Sequence, residues 1–439
     1  MKKIIFILVL TLVVFIGLNF TAPLRIQGDG VFYYSWLHSS WFDHDLDFRN
    51  QLEHYSSYDV ASRWFLEKNI TTPLGRVPNA YAYGAALMWL PFFLIAHPLS
   101  LVFQGVNQSL FAADGYSYFY NLFLNFGSWF YSSLALIFCF KILKRFFSER
   151  TAFLSALAIY LATPWFYYQN FEPFMAHSVS LFLVSVWLYL MVRLWHKEKV
   201  NHWLLIFILF LMCATRWQNL FFAAAYLPIF FFPLPEGETK RGWEKRCLFF
   251  FKKISILVVP IILFALSQAI IWGRLYGQYL LVPQGHRFLR PEFHGLYTLF
   301  SSDHGLLLWS PILILALIGL YWLWKKSKFL TGIVLAVFIC QWLINSSLND
   351  LGGGDAFGGR RFIETLPFLA LALAALIEKI KKHYWQAFVV IIIFIGWNFL
   401  LLENYRLQTI PHAGHFDFFQ VNFFQVVGRD INRFIISKF

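Results

Sequence analysis

Carboxylates gather in the segment that follows the first apolar stretch of the chain. Asp29 stands between two glycines, and Asp43, Asp45 and Asp47 follow it closely. The apolar stretch before them, residues 4–22, is preceded by two lysines, and lysines mark the cytoplasmic end of a membrane span. The carboxylates are therefore predicted on the outer face, where Asp29 near the interface can act as a base or a metal ligand. The alternative is that Asp29 caps the aromatic helix after it.

A second acid lies in a turn between two predicted spans. Glu172 precedes Pro173, and His177 follows five positions after the glutamate. An ionisable pair at membrane depth is costly unless it serves a purpose. Glu172 is therefore a second catalytic candidate, and Glu172 with His177 could hold a divalent metal ion. The alternative for His177 is a structural histidine that is satisfied by hydrogen bonds.

Arginines on the predicted outer side are few, because the positive-inside rule disfavours them there. They include Arg216, Arg287, Arg360 and Arg361. Guanidinium groups bind phosphate oxygens through paired hydrogen bonds. The glycine-rich run 352–359 before the last two lets a ligand approach the backbone closely. These four side chains are the candidates for binding the phosphate of a donor.

The glycine-rich run is not the signature of a nucleotide site. It lacks the pattern GxxxxGK(S/T) and is predicted to face outward, away from ATP, so no nucleotide is expected. Arg360 and Arg361 also have a simpler interpretation, in which they form salt bridges with Asp355 or Glu364.

The run Ser302-Asp303-His304 has the composition of a hydrolase triad. Adjacent residues are not expected to form the chain of hydrogen bonds that a triad needs, and no nucleophile elbow is present. A hydrolase is therefore not expected.

Aromatic residues make up 21% of the chain, and several lie near the predicted outer loops. Aromatic faces suit sugars and isoprenoid chains, although packing against lipid explains most of the 53 phenylalanines. The candidates for contact with a sugar or an acceptor are Tyr33, Tyr34, His304 and Asp355.

The elements that must position these side chains are membrane spans. Hydrophobic residues are 59% of the 439 and charged residues only 13%, whereas soluble domains are about 45–50% apolar. The basic residues stand in short clusters between apolar runs of about 20 residues, the length of one bilayer crossing. The net charge of +13 is therefore assigned to topology. The expected partner is the lipid bilayer, and no nucleic acid is expected.

If every basic cluster is cytoplasmic, the chain has about eleven transmembrane helices and an outer C-terminus. The predicted spans are residues 4–22, 118–140, 152–168, 174–193, 203–218, 220–235, 254–272, 305–324, 329–347, 362–378 and 385–402. The run 80–103 does not fit, because a crossing there would put Lys141 and Lys144 on the wrong side. Pro91 and Pro98 interrupt it, so it is predicted to be re-entrant or to lie on the surface, with an ordinary span as the alternative.

This pattern predicts one all-α polytopic membrane domain over residues 1–402. Its outer loops are 25–117, 273–304 and 349–361, and a short outer tail, 403–439, is too short to fold alone. The four cysteines fall in predicted spans or on the cytoplasmic side, so no disulfide is expected.

Four short segments, in chain order, carry a family resemblance. They are residues 29–34 (DGVFYY), 171–177 (FEPFMAH), 301–306 (SSDHGL) and 357–362 (FGGRRF). Together with an outward acid after the first helix and a long first loop, they resemble the C-type membrane glycosyltransferases. This superfamily includes protein O-mannosyltransferases and the lipid A aminoarabinose transferase. One departure is Gly30, where many members carry a second acid, and it leaves metal dependence open.

The resemblance implies transfer of a sugar from a polyprenyl-phosphate carrier to an outer-face lipid, glycan or protein of the cell envelope. It implies a bacterial inner membrane with the active site facing the periplasm or exterior. Asp29 then takes the place of the catalytic acid in the first loop, and Glu172 that of the second-loop acid linked to metal or acceptor. Arg360 and Arg361 are assigned to the donor phosphate. The alternative function is a lipid or polysaccharide flippase, which should show paired repeats and charges near the bilayer midplane.

Overall fold

A computed structural model describes residues 2–20, 23–227, 243–282, 285, 288–290, 292–417 and 421. Helices account for 72% of the residues, and the described ranges contain no strand. Seven helices are long and apolar enough to cross a membrane. The prediction of an all-α polytopic membrane protein is confirmed at this level.

The helices are named in chain order. They are α1 (Lys2–Asn19), α2 (Asp29–His38), α3 (Arg49–Tyr55), α4 (Val60–Glu67), α5 (Gly84–Phe103), α6 (Gln108–Phe111), α7 (Tyr118–Lys144), α8 (Glu149–Leu161), α9 (Trp165–Asn170), α10 (His177–Trp195), α11 (His202–Thr215), α12 (Trp243–Tyr276), α13 (Gly295–Phe300), α14 (Leu306–Trp309), α15 (Ile312–Lys326), α16 (Lys328–Ser346), α17 (Leu366–Lys379) and α18 (Tyr384–Arg406). A π-helix covers Ser39–Asp43, and 3-10 helices cover Trp217–Tyr226, Arg360–Thr365 and Lys381–His383.

The candidate spans agree only in part with the topology read from the sequence. The long apolar helices are Lys2–Asn19, Gly84–Phe103, Tyr118–Lys144, His177–Trp195, Phe251–Tyr276, Lys328–Ser346 and Lys381–Arg406. All but Gly84–Phe103 coincide with predicted spans. The other predicted spans fall on α8, α11, α15, α17 and the 3-10 helix Trp217–Tyr226, which have 10 to 15 residues each. At about 1.5 Å per residue such helices are shorter than the ~30 Å hydrocarbon layer. Residues 228–235 of one predicted span lie outside the described residues.

Helix α5 differs from the interrupted run that its prolines suggested. It continues for 20 residues with Pro91 and Pro98 inside it. Its first residue, Gly84, lies against the backbone of α11, and Phe92 lies against Gly127 of α7. Prolines are tolerated in such helices where neighbouring elements satisfy the freed backbone groups. The run therefore has the length and composition of a span.

The chain divides into two compact units, Met1–Phe138 with Tyr168–His286, and Cys139–Tyr167 with Arg287–Phe439. In the first unit, polar side chains inside the helices pair with one another. The amide of Asn125 on α7 donates to Oδ1 of Asn19 on α1 at 2.9 Å. Ser180 on α10 shares hydrogen bonds of 2.8 and 3.1 Å with Asn219.

In the second unit, α15 and α17 approach closely. Gly319 on α15 lies directly against the carbonyl group of Ala372 on α17. Asn398 of α18 donates to the carbonyl oxygens of Leu161, the last residue of α8, and of Thr163 just after it. These contacts join α15 to α17, and α18 to the end of α8, without charged groups.

The Asn19–Asn125 bond should stabilise the first unit. Both side chains are buried, and bonds of this kind between membrane helices are worth ~0.6 kcal/mol on average and up to ~1.7. Asn125→Ala should therefore lower the thermal unfolding midpoint of the purified protein in detergent. Leu87→Ala, on the exposed side of α5, is the control and should change it less. An unchanged midpoint in Asn125→Ala would contradict the assignment.

Candidate functional site

The carboxylate of Asp29 lies in the first turn of α2. Helix α2 begins at Asp29, and Gly28 occupies the capping position, so Asp29 is not the cap residue that the alternative interpretation required. Its Oδ1 accepts a hydrogen bond of 2.8 Å from the hydroxyl of Tyr81. Negative charge is favoured at this end of a helix. The ring of Tyr33 packs edge-on against Tyr81, with centroids 5.0 Å apart.

Gly30 brings the start of α2 against the segment that carries Glu172. A Cβ atom at residue 30 would lie 2.8 Å from Cβ of Phe174 and 3.2 Å from its carbonyl oxygen. Glycine is thus needed for this close approach, which accounts for its presence where the resemblance suggested a second acid. The two predicted catalytic acids, Asp29 and Glu172, therefore belong to neighbouring segments of the first unit.

His177 and Arg216 form a pair at the ends of two helices. His177 begins α10, Arg216 follows α11, and Nη1 of the arginine donates to Nδ1 of the histidine at 3.0 Å. This bond occupies Nδ1 of His177. Among the described residues, no group of three or more His, Cys, Asp and Glu side chains is arranged to hold a metal. Metal binding by Glu172 and His177 stays a prediction.

Tyr34 lies within a polar cluster in the segment between α1 and α7. It is fully buried, its hydroxyl donates to the carbonyl oxygen of Gly115, and burial raises its pKa. Nearby, Nδ1 of His38 accepts from the Gln51 amide at 3.0 Å, and Nε2 donates to the carbonyl oxygen of Asp114 at 2.9 Å. Burial lowers the pKa of His38, so the ring is neutral at neutral pH. Tyr34 is therefore packed inside the first unit and does not lie on its surface.

In the second unit, three groups surround the carboxylate of Asp303. The hydroxyl of Tyr297 donates to Oδ2 at 2.5 Å, and the backbone amide of Gly414 donates to Oδ1 at 3.0 Å. Nδ1 of His304 lies 3.1 Å from Oδ1. The hydrogen bond from His304 is the main reason why the pKa of Asp303 lies well below its usual range. Asp303 is therefore ionised at neutral pH.

His304 forms a link with Asp303 that the sequence analysis did not expect of adjacent residues. Its backbone is left-handed, with φ 63°, a conformation that costs roughly 1–2 kcal/mol for a residue with a side chain. Nδ1 also lies 3.0 Å from the carbonyl oxygen of Gly352. These acceptors place a proton on Nδ1, so Nε2 is the atom that carries the lone pair when the ring is neutral. The expectation that adjacent residues do not link in this way is therefore wrong for Asp303 and His304.

The glycine-rich loop packs directly on this link. A Cβ atom at residue 352 would lie 2.5 Å from Oδ2 of Asp303. Any larger residue at Gly352 must displace the carboxylate or the loop. The loop therefore helps to fix the position of Asp303 and, through it, the ring of His304.

Arg360 and Arg361 also form hydrogen bonds with this loop and with the residue Asp350 just before it. Nη2 of Arg360 donates to the carbonyl oxygen of Gly353 at 2.5 Å. Nη2 of Arg361 donates to Oδ2 of Asp350 at 2.7 Å. Arg361 thus forms a salt bridge, with a partner, Asp350, that the simpler interpretation did not name. Asp355 lies exposed on the loop.

A small, partly enclosed cavity lies between these elements of the second unit. Its lining includes Thr298, His304, Asn345, Arg360 and Arg361, together with several glycines. It brings together His304, predicted to contact a sugar or acceptor, and the two arginines predicted to bind phosphate.

The segment after α18 belongs to this region. The amide of Gly414 binds Asp303, and Nδ1 of His415 lies 3.1 Å from Oγ of Ser302. The tail 403–439 was expected to be too short to fold alone. Its described part is ordered by packing on the second unit.

The predicted site residues divide between the two units. The first holds Asp29, Tyr33, Tyr34, Glu172, His177 and Arg216, and the second holds His304, Asp355, Arg360 and Arg361. Arg287 lies outside the described residues. Sequence reasoning missed Tyr81, Asp303, Asn345 and Asp350. Asp303 was visible beside His304 in the segment 301–306, but nothing in the local sequence marks Tyr81 or Asn345.

No protein-family model matches the chain, and no curated protein matches it significantly. The function is therefore inferred from the geometry of the described residues and from the resemblance of the short segments.

The hydrogen bonds of Asp303 predict a pH dependence of stability. Its pKa is lower in the folded protein than the ~3.9 of an unfolded chain, so its contribution is present at neutral pH. The contribution is lost as the pH falls below about 4 towards the folded pKa. The difference in thermal midpoint between wild type and Asp303→Asn should therefore shrink between about pH 6 and pH 3. The exposed Asp355→Asn is the control, and a constant difference for Asp303→Asn would contradict the assignment.

Proposed function

We propose that the protein is a membrane glycosyltransferase. It transfers a sugar from a polyprenyl-phosphate donor to a hydroxyl group of an outer-face lipid, glycan or protein. The observation that carries the proposal is the setting of Asp29, a partly exposed carboxylate at the start of α2 that accepts from the Tyr81 hydroxyl. A carboxylate positioned in this way is suited to remove a proton from an acceptor hydroxyl.

The cavity of the second unit supports a phosphate-linked donor. The guanidinium groups of Arg360 and Arg361 line it, and such groups bind phosphate oxygens well. A donor carried by a membrane lipid also fits a site on a face where no nucleotide sugar is supplied. The donor phosphate is therefore assigned to Arg360 and Arg361.

The reaction is a single displacement. Asp29 takes the proton of the acceptor hydroxyl while that oxygen forms a bond to the anomeric carbon. The bond from this carbon to the phosphate oxygen breaks, and its electron pair leaves with the polyprenyl phosphate. The arginines stabilise the charge on the departing phosphate. Tyr81 orients Asp29, and Glu172 is assigned to the acceptor or to a divalent metal ion.

The proposal includes the finer topology. About eleven spans place the loop 25–117 on the outer face of a bacterial inner membrane. The short helices among them cross with the help of packing against longer neighbours. Helix α5 is re-entrant in this topology, because a crossing there would move residues 104–117 to the other face.

A flippase for a lipid or polysaccharide is the second candidate. The buried His177 beside Arg216 favours it, because ionisable pairs inside membrane proteins often mark a transport path. A flippase would move its lipid without breaking the sugar–phosphate bond, so chemical turnover separates the two functions.

Removal of the Asp29 charge should abolish transfer. The assay uses purified protein in lipid nanodiscs with radiolabelled, short-chain polyprenyl-phosphate sugars, with and without a chelator. Asp29→Asn keeps the shape of the side chain and an acceptor for Tyr81, so the protein should fold, while transfer should fall about 10²–10⁴-fold. Glu53→Gln, an exposed acid of the same loop, should keep wild-type turnover. Wild-type turnover by folded Asp29→Asn would contradict the role of Asp29.

Cysteine labelling tests the proposed orientation. Glu53 and Lys199 are both exposed, Glu53 in the first outer loop and Lys199 between α10 and α11. In spheroplasts, Glu53→Cys should react with a membrane-impermeant maleimide, whereas Lys199→Cys should react only after lysis. The wild-type protein, with its own four cysteines, gives the background. The reversed pattern would overturn the orientation.

A further inference from the structure

The cavity of the second unit presents two hydrogen-bond acceptors that the described residues leave unused. They are Nε2 of His304 and Oδ1 of Asn345. His304 is only 5% exposed and Asn345 only 2%. Neither atom has a hydrogen-bond partner among the described residues, and both residues line the same cavity. A buried polar atom without a partner destabilises the folded protein. A molecule in the cavity that donates hydrogen bonds would remove this cost.

The surrounding contacts fix both atoms as acceptors. In the neutral ring of His304, Nδ1 donates its proton to the carbonyl oxygen of Gly352 beside Asp303, which leaves the lone pair on Nε2. The side-chain nitrogen of Asn345 donates to the backbone oxygen of Arg361 at 3.3 Å, which leaves Oδ1 as the unused acceptor. Two acceptors reject a carbonyl or a carboxylate. They favour a ligand with two O–H donors, because one hydroxyl group donates only one hydrogen bond.

The arginines extend the chemistry of the cavity. Arg360 and Arg361 line it beside the two acceptors, so one small space offers acceptors for hydroxyl groups and guanidinium groups for an anion. A sugar attached to phosphate carries both kinds of group on adjacent parts of one molecule. We propose that this cavity recognises two neighbouring hydroxyls of the donor sugar, one at Nε2 of His304 and one at Oδ1 of Asn345, while the phosphate lies at the arginines. The inference rests on the proposed function, because it takes the lipid-linked sugar phosphate as the ligand.

Asp303 acts in this site as a positioning residue. Its ionised carboxylate keeps the proton of His304 on Nδ1, and the amide of Gly414 and the hydroxyl of Tyr297 hold that carboxylate in place. The segment after α18 therefore helps to determine which atom of His304 faces the ligand.

Nitrogen NMR of the histidine rings tests the site without requiring turnover. The full-length protein is labelled with ¹⁵N-histidine in nanodiscs, and the His304→Gln spectrum identifies the His304 signals among the 13 histidines. The probes are octyl phosphate and the octyl phosphate diesters of mannose, glucose, galactose and arabinose. We expect Nε2 to be unprotonated without ligand. At least one sugar diester should move its signal in the direction of an accepted hydrogen bond, and octyl phosphate alone should not.

Three variants separate recognition of the sugar hydroxyls from general effects on the protein. Asn345→Leu removes one acceptor and should weaken binding of the responding sugar diester at least tenfold, with octyl phosphate binding unchanged. Asn349→Leu, at an exposed asparagine of the same unit, should leave both unchanged. In Asp303→Asn the Nε2 signal should move without ligand, because the carboxylate that fixes the tautomer is gone.

Each contrary result has a defined meaning. An equal response to octyl phosphate would show a phosphate pocket and overturn the hydroxyl site. No response of His304 to any probe would show that water satisfies the cavity, and would also overturn it. Transfer by a protein with an unresponsive His304 would sink this inference alone. A sugar-specific response without transfer from any donor would support the site and count against the proposed reaction.

Discussion

Lipid offers no hydrogen bonds, and this constraint governs the whole molecule. Inside the helices of the first unit, polar side chains are therefore used on one another, as in the bond from Asn125 to Asn19. The candidate functional side chains lie at helix ends instead. Asp29 begins α2, His177 begins α10 and Arg216 follows α11. The same constraint thus accounts for the position of these candidates at the ends of helices.

In the second unit, hydrogen bonds compensate the charge of one carboxylate, that of Asp303. An ionised carboxylate away from water is costly unless hydrogen bonds compensate it. Asp303 is bound by Tyr297, His304 and the amide of Gly414, and Gly352 packs on it without a side chain. One carboxylate therefore orders the histidine ring, the glycine-rich loop and the segment after α18. The cavity beside them depends on this arrangement.

The sequence predicted those features that follow from local composition. Long apolar runs gave the helical membrane class, and glycine beside arginine marked the loop around Arg360. Contacts between residues far apart in the chain could not be predicted from local sequence. An example is the hydrogen bond between Tyr81 and Asp29, which lie 52 positions apart. The link between Asp303 and His304 was missed for a different reason. It depends on a left-handed backbone at His304, a conformation that a residue other than glycine rarely adopts.

The central claim is a single displacement at the anomeric carbon, with Asp29 as the base. The most direct test is the anomeric configuration of the product, determined by NMR after transfer by the wild-type enzyme from a donor of defined configuration. A base that activates the acceptor for direct attack requires inversion. A product with the configuration of the donor would require a covalent intermediate or another mechanism, and would contradict the account.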